Sequence, residues 1–222
     1  ENAGASGLTK AGDGTLALQG ATSHSGPTTV SAGTLLVNGS LGSGSATTVA
    51  AGATLGGTGT INGSVTVNGT LAPGWQNAGT LTVNGTITLT GASTLRFSIR
   101  KTGSTLSVPK LSRTSAFTAS GTLTVAASGD SLAAGDTLTL FDVSPTGTFA
   151  TVNLPPLPSH LAWQTTNNYR TVTIATIGTP KTVPTITWTP PATVTYGVAV
   201  GSSVLSASAN VPGNFSYTPA AG

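Results

Sequence analysis

Apolar and hydroxyl-bearing residues alternate in short runs from Leu8 to about Ile99: Thr15-Leu16-Ala17-Leu18, Thr34-Leu35-Leu36-Val37, Ser64-Val65-Thr66-Val67, Thr80-Leu81-Thr82-Val83, Thr86-Ile87-Thr88-Leu89 and Thr94-Leu95-Arg96-Phe97-Ser98-Ile99. In each run the aliphatics share one face and the hydroxyls the other, as a strand with one buried and one wet side requires. No stretch repeats at helical spacing. The pattern predicts an all-β protein.

Between the runs a corner recurs: Val37-Asn38-Gly39-Ser40-Leu41, Ile61-Asn62-Gly63-Ser64-Val65, Val67-Asn68-Gly69-Thr70-Leu71 and Val83-Asn84-Gly85-Thr86-Ile87. Asn-Gly between alternating runs is the strongest short signal for a two-residue hairpin, so an antiparallel sandwich is one reading. A parallel β-solenoid is the other. The corners keep nearly the same flanks, and the inward residues are small or medium aliphatics that can stack rung upon rung. A single strand–corner–strand unit cannot bury its own apolar face, so such units must stack. The solenoid is the favoured expectation.

Composition removes several alternatives. The 222 residues suit one or two domains; 37% are hydrophobic, 6% charged and 5% aromatic, with 30 glycines and a net charge of +3, which is not the low-hydrophobicity, high-charge profile of a disordered chain. Eight Lys and Arg against five Asp and Glu are too dilute for the basic stripe of a nucleic-acid protein, so no nucleic-acid partner is expected. With no cysteine there is no disulfide framework and no thiolate metal site. No apolar run approaches the roughly 18 residues of a membrane helix. Three Trp, three Tyr and five Phe are too few for the aromatic girdles of a membrane barrel, so no membrane insertion of this segment is expected. The chain starts at Glu1 without a signal peptide and reads as an interior piece of a longer precursor.

Gly7-Leu8-Thr9-Lys10-Ala11-Gly12-Asp13-Gly14-Thr15-Leu16-Ala17-Leu18-Gln19-Gly20, followed by Gly26-Pro27-Thr28-Thr29-Val30-Ser31-Ala32-Gly33-Thr34-Leu35-Leu36-Val37-Asn38-Gly39, resembles the autotransporter-associated β-strand repeat of bacterial passenger regions. Gly57-Thr58-Gly59-Thr60-Ile61-Asn62-Gly63, Leu71-Ala72-Pro73-Gly74 and Leu132-Ala133-Ala134-Gly135-Asp136-Thr137-Leu138-Thr139-Leu140-Phe141 also look like passenger segments. The resemblance, which covers roughly residues 7–177, implies a secreted right-handed parallel β-helix on or beyond the bacterial surface, and residues 1–177 are assigned to one β-solenoid domain. Over residues 101–117 both the alternation and the turn spacing fade, and a loop or irregular rung is expected. Leu154-Pro155-Pro156-Leu157-Pro158 cannot be a central strand, because each proline removes a ladder donor, and reads as a crossing loop. Ala162–Thr165 and Thr171–Ala175, with Asn167-Asn168 between them, are expected to close the solenoid with Trp163 over its last rung.

Residues 178–184 read as a linker. Thr185-Ile186-Thr187-Trp188, Val194-Thr195-Tyr196-Gly197 and Asn214-Phe215-Ser216-Tyr217-Thr218-Pro219 resemble the opening half of the Ig-like modules of bacterial surface proteins. An Ig-like sandwich needs about seven strands, so 185–222 is expected to be a partial β-sandwich segment completed by further chain or by another molecule.

Candidate chemistry is sparse. The carboxylates are Glu1, Asp13, Asp130, Asp136 and Asp142; Asp130 and Asp136 each follow a glycine, where turns place Asp for local backbone bonding. His24 and His160 each stand alone, and no serine sits in a Gly-x-Ser-x-Gly elbow. The glycine clusters, Gly42-Ser43-Gly44 among them, read as corners rather than phosphate loops. No catalytic, cofactor or metal site is assigned. Arg96, Arg100 and Lys101 are a candidate weak contact for an anionic glycan, weighed against a solvated face that keeps the surface soluble. Trp75 could stack on a sugar ring or pack at a loop base.

These readings converge on a non-enzymatic extracellular scaffold, a rigid stalk displaying adhesive modules on a bacterial surface protein and partnered by neighbouring domains or a glycan or cell-surface ligand. A second reading makes the chain a filament subunit that self-associates by strand addition, with Ile186, Trp188, Val194, Tyr196, Phe215 and Tyr217 in the exchanged segment. A third, a glycan-active β-helix enzyme, would need a cleft lined with carboxylates.

Overall fold

The structure is a computed structural model that describes residues 6–42, 46–178, 182–189, 193–201 and 204–218. Expectations at Glu1, at the Ser43-Gly44 corner, at linker residues 179–181 and at the final residues from Pro219 lie outside the described residues. The chain divides into two compact units, Glu1–Gly178 and Thr179–Gly222.

The first unit is a parallel β-helix. Each coil lays one strand on each of two faces and the four middle coils lay one on a third, and each face is a sheet built from equivalent strands of successive coils. The first face runs Leu8–Lys10, Thr28–Val30, Thr47–Val49, Val65–Val67, Ile87–Leu89, Thr118–Ala119 and Thr146–Gly147. The second runs Thr15–Leu18, Thr34–Val37, Thr54–Gly57, Thr70–Pro73, Thr94–Thr102, Thr122–Gly129 and Thr151–Asn153. The third holds Ser40–Leu41, Thr60–Ile61, Thr80–Val83 and Lys110–Ser112, extended by parallel bridges from Ser40 to Ala21 and from Leu111 to Phe141. Every ladder joining consecutive coils is parallel, so Asn-Gly does not make hairpins here.

The register explains why these residues form these strands. On the second face Leu16, Leu35, Leu55, Leu71, Leu95, Leu123 and Val152 follow one another from coil to coil, all turned inward. Leu35, Leu55, Leu71, Leu95 and Leu123 are fully buried. A parallel stack puts identical side chains one strand spacing apart, so one residue type that fits the interior fits it in every coil. The hydroxyls do the same outside. Thr9, Thr29, Thr48, Thr66, Thr88, Thr118 and Thr146 form one outward ladder on the first face. Thr15, Thr34, Thr54, Thr70, Thr94, Thr122 and Thr151 form another on the second.

The four Asn-Gly corners do not occupy one edge of the helix. Asn38-Gly39 turns from the second face to the third, Asn62-Gly63 and Asn84-Gly85 from the third to the first, and Asn68-Gly69 from the first to the second. Only Asn62 and Asn84 stack, with Asn84 Nδ2 donating to Asn62 Oδ1 at 2.8 Å. What marks every coil instead is the start of its second-face strand, a small residue followed by Thr and then Leu or Val: Gly14-Thr15-Leu16, Gly33-Thr34-Leu35, Ala53-Thr54-Leu55, Gly69-Thr70-Leu71, Ser93-Thr94-Leu95, Gly121-Thr122-Leu123 and Ala150-Thr151-Val152. At Gly33 the reason for a small residue is plain. Its φ is +65°, and a Cβ would stand 2.4 Å from the carbonyl oxygens of Gly12 and Gly14 in the coil below.

Residues 101–117 are more regular than their sequence suggests. The second-face strand runs on to Thr102, turns at Gly103 into an antiparallel partner at Thr105–Ser107, and the chain then enters the third face at Lys110–Ser112. The repeat lengthens there from about 20 residues to near 30, within the range of stacked repeats. The wider interior is filled by aromatics. Phe141 meets Phe97 and Phe117 edge to face, with centroids 5.5 and 5.4 Å apart.

The closing hairpin forms as expected. Leu161–Thr166 pairs antiparallel with Thr171–Thr176, which also pairs with Thr137–Thr139. Asn167, Asn168 and Tyr169 make the turn with positive φ. Trp163 packs against the core, its indole Nε1 donating to Pro155 O at 2.8 Å, so the proline-rich crossing segment and the hairpin cover the last coil together.

The second unit holds, among its described residues, one antiparallel ladder between Ile186–Thr187 and Ser208–Ala209. Val194–Gly197 ends in a turn rather than a strand, and 214–218 carry no strand. The three or four strands of a partial Ig-like sandwich are therefore not present in the described residues. An aromatic cluster takes their place: Tyr217 lies 6.1 Å from Trp188 and 6.4 Å from Phe215, and its hydroxyl accepts a hydrogen bond from Ala207 N.

Candidate functional site

Strand Thr94–Thr102 alternates strictly, with Leu95, Phe97, Ile99 and Lys101 buried and Arg96 and Arg100 exposed. The arginines point outward as expected, but Lys101 does not join them. Its position in the alternation turns it to the inner face, where Nζ meets Asp136 Oδ2 at 2.6 Å, both side chains being about nine-tenths buried. A buried cation with a carboxylate partner is a structural clamp rather than a ligand contact, and Lys101 leaves the candidate glycan set.

Three of the carboxylates, Asp130, Asp136 and Asp142, are occupied. Asp136 accepts a hydrogen bond from Ala133 N, the local turn bonding expected of it, whereas Asp130 accepts from Gly103 N, 27 residues away in the sequence, rather than from its own turn. Asp142 accepts from Lys110 Nζ and from Ser112 Oγ, and these bonds hold its carboxyl below the usual carboxylate range. Asp13 is exposed in a turn. Among the described residues no three His, Cys, Asp or Glu side chains are grouped to hold a metal ion. His24 Nε2 bonds Thr28 Oγ1 at 2.9 Å, and His160 lies half-buried beside the closing hairpin.

Two buried cations escape a reading of the sequence. Lys10 sits inward where the next coils place Val30, Val49 and Val67, and its ammonium donates to the carbonyls of Ala11, Gly12 and Ala32, tying one corner to the next. Arg113 is 7% exposed, donates to Ser115 O and Oγ, and leaves Nη1 without a partner among the described residues; burial lowers its pKa. The signal for Lys10 was positional, since its place in the repeat is held by valine in later coils.

Trp75 is 46% exposed at the tip of a turn that leaves the second face after Pro73. The turn is held at its base by paired backbone bonds between Gly74 and Gly57, and across itself by Trp75 N to Ala78 O at 2.8 Å and Ala78 N to Trp75 O at 3.1 Å. Gln76 and Asn77 both adopt the left-handed conformation, with φ of 51° and 69°. Ser107 Oγ fastens the turn from the neighbouring hairpin by donating to Asn77 O at 3.0 Å. Beneath it lies a groove of about 250 Å³ bordered by Trp75, Gln76, Asn77, Arg96 and the hydroxyl ladder at Thr34 and Thr54. The structure thus brings together two residues, Trp75 and Arg96, that the sequence presented as unrelated. Arg100 lies outside the groove.

Five of the six residues considered for strand exchange are exposed: Ile186, Trp188, Val194, Tyr196 and Phe215; Tyr217 is half-buried in the aromatic cluster. Trp188 is further held by Nε1 donating to Val204 O at 2.9 Å.

Residues 8–37, the first two coils, match the family model of the passenger-associated-transport-repeat. Comparison with curated proteins and with solved structures gives no match. The matched repeat and the uninterrupted stacking of parallel coils beyond it fit an autotransporter passenger β-helix.

Proposed function

We propose that this chain is a non-enzymatic scaffold at or beyond a bacterial cell surface, a β-solenoid stalk that spaces or displays neighbouring modules. The observation that carries this reading is the continuous inward stack from Leu16 to Val152, in register across seven coils. Stability built from successive interfaces grows with length, so the fold supplies reach and stiffness. Antibody raised against the first unit should label intact, unpermeabilised cells of the source bacterium, and brief protease treatment of those cells should remove the label. Labelling that requires permeabilisation would overturn the proposal.

A second reading rests on a separate observation. Val183, Ile186, Val194, Tyr196 and Val198 are more than half exposed in the second unit. A short ladder flanked by exposed apolar residues is suited to pairing with an added strand. Under this reading the chain self-associates into a filament through that unit, and the purified chain should show a concentration-dependent rise in mass and end-to-end particles in negative stain. Monomers alone at high concentration would remove it.

A further inference from the structure

The groove under the Trp75 turn is built for a ligand of definite chemistry. Its lining includes the Trp75 indole and the exposed Arg96 guanidinium, neither of which makes a side-chain hydrogen bond or ion pair among the described residues. The same lining holds the side-chain amides of Gln76 and Asn77 and the hydroxyls of Thr34 and Thr54, likewise without side-chain partners among the described residues. Consecutive left-handed non-glycine residues are costly, and such backbone persists where the surroundings over-determine it. Here the Gly74–Gly57 bonds and the Ser107 bond do so, which fixes the backbone from which the indole projects before anything binds. Gly74 belongs to the same clamp, because a Cβ there would stand 2.4 Å from Pro109 Cβ.

An aromatic face takes the apolar C–H side of a sugar ring, amides and hydroxyls pair with ring hydroxyls in either direction, and a guanidinium takes a carboxylate through two parallel bonds. A lone cation beside hydroxyls does not make a membrane or polyphosphate surface, which calls for clustered Lys and Arg. At about 250 Å³ the groove falls just below the roughly 300 Å³ at which drug-sized pockets begin, which suits one or two rings of a longer chain. We propose that it is a subsite for a carboxylate-bearing sugar residue, with the ring on Trp75, the carboxylate on Arg96 and the ring hydroxyls on Gln76, Asn77 and the threonine ladder.

The test follows the three indole N–H resonances of the ¹⁵N-labelled full chain during titration with short oligomers of galacturonate and of glucuronate, with neutral maltotriose in parallel. The Trp75 resonance, assigned through Trp75→Phe, should shift and saturate with one or both acidic oligomers, and neutral sugar should bind about tenfold more weakly. Arg96→Gln should cost about tenfold and bring acidic and neutral affinities together, whereas Arg100→Gln should change affinity by less than about twofold. Both arginines are exposed, so unchanged melting will confirm that the variants fold. The proposal is overturned by a silent Trp75 with both acidic oligomers, by equal binding of neutral sugar, or by equal losses in the two arginine variants, which would signify diffuse charge attraction.

Discussion

The two units use the same strand vocabulary, threonine alternating with valine, isoleucine or leucine, and reach opposite outcomes. In the first unit Trp75 and Ile177 are the large apolar residues left exposed among those described, while in the second Val183, Ile186, Trp188, Val194, Tyr196, Val198 and Phe215 all are. The difference lies in neighbours. On the first and second faces each strand between the end coils has an equivalent strand on either side, so each inward leucine of the second face is covered by the next. Among its described residues the second unit has one two-pair ladder, and a two-stranded ribbon by itself is marginal in water. Alternation makes a strand amphipathic; only stacking makes it buried.

The sharpest way to break this contrast is to open a hole in the stack. Leu95→Ala removes a fully buried side chain from mid-column and should destabilise the first unit by about 3 kcal/mol, read as a lower denaturant midpoint. Next comes Gly33→Ala, which places a methyl against two carbonyl oxygens at positive φ and should cost about 2 kcal/mol in the same measurement. A smaller effect is expected from acid. The Asp142 carboxyl is held below its ordinary value by Lys110 and Ser112, so the unfolded chain takes up its proton at higher pH than the folded one. This contribution is present above roughly pH 4 and is lost as pH falls through the lower folded value. Asp142→Asn should flatten the fall of melting temperature over that window and, for a partly exposed pair, change neutral stability by only about 0.5 kcal/mol. The smallest effect belongs to the second unit. Phe215→Ala should leave the unfolding of the first unit within about 0.5 kcal/mol of the parent, and a larger shift would show that the two units do not fold independently.

Parallel stacking was legible before the structure, yet partly through a misleading cue. The Asn-Gly repeats that suggested successive corners are spread over all three edges of the helix, and Asn62 and Asn84 alone share one through a side-chain bond. Asn-Gly marks a local backbone need for a tight turn, which arises at any edge. The small-Thr-Leu signature carries the true coil period, because that position combines a crowded corner, an outward hydroxyl and an inward column. The hairpin within 101–117 was not legible, since a short antiparallel extension of a coil leaves no periodic trace. Nor was the fate of Lys101. Lys101 groups with the outward arginines in the candidate glycan set although its place in the alternation is inward, and its carboxylate partner is 35 residues away in the sequence, so nothing local announces that pairing.

Local pattern alone determined that this chain is all β, that the apolar members of its alternating runs turn inward, that arginines 96 and 100 face outward, and that a closing segment with Trp163 ends the stack; it favoured parallel coils over a sandwich. Each follows from alternation and turn chemistry, which act over a few neighbouring residues. Tertiary structure alone decided the widening of the later coils around Phe141, the Lys101–Asp136 clamp, and the meeting of Trp75 with Arg96 across one groove. These depend on which residues successive coils bring side by side, and that alignment is set by the whole length of each coil rather than by any segment within it.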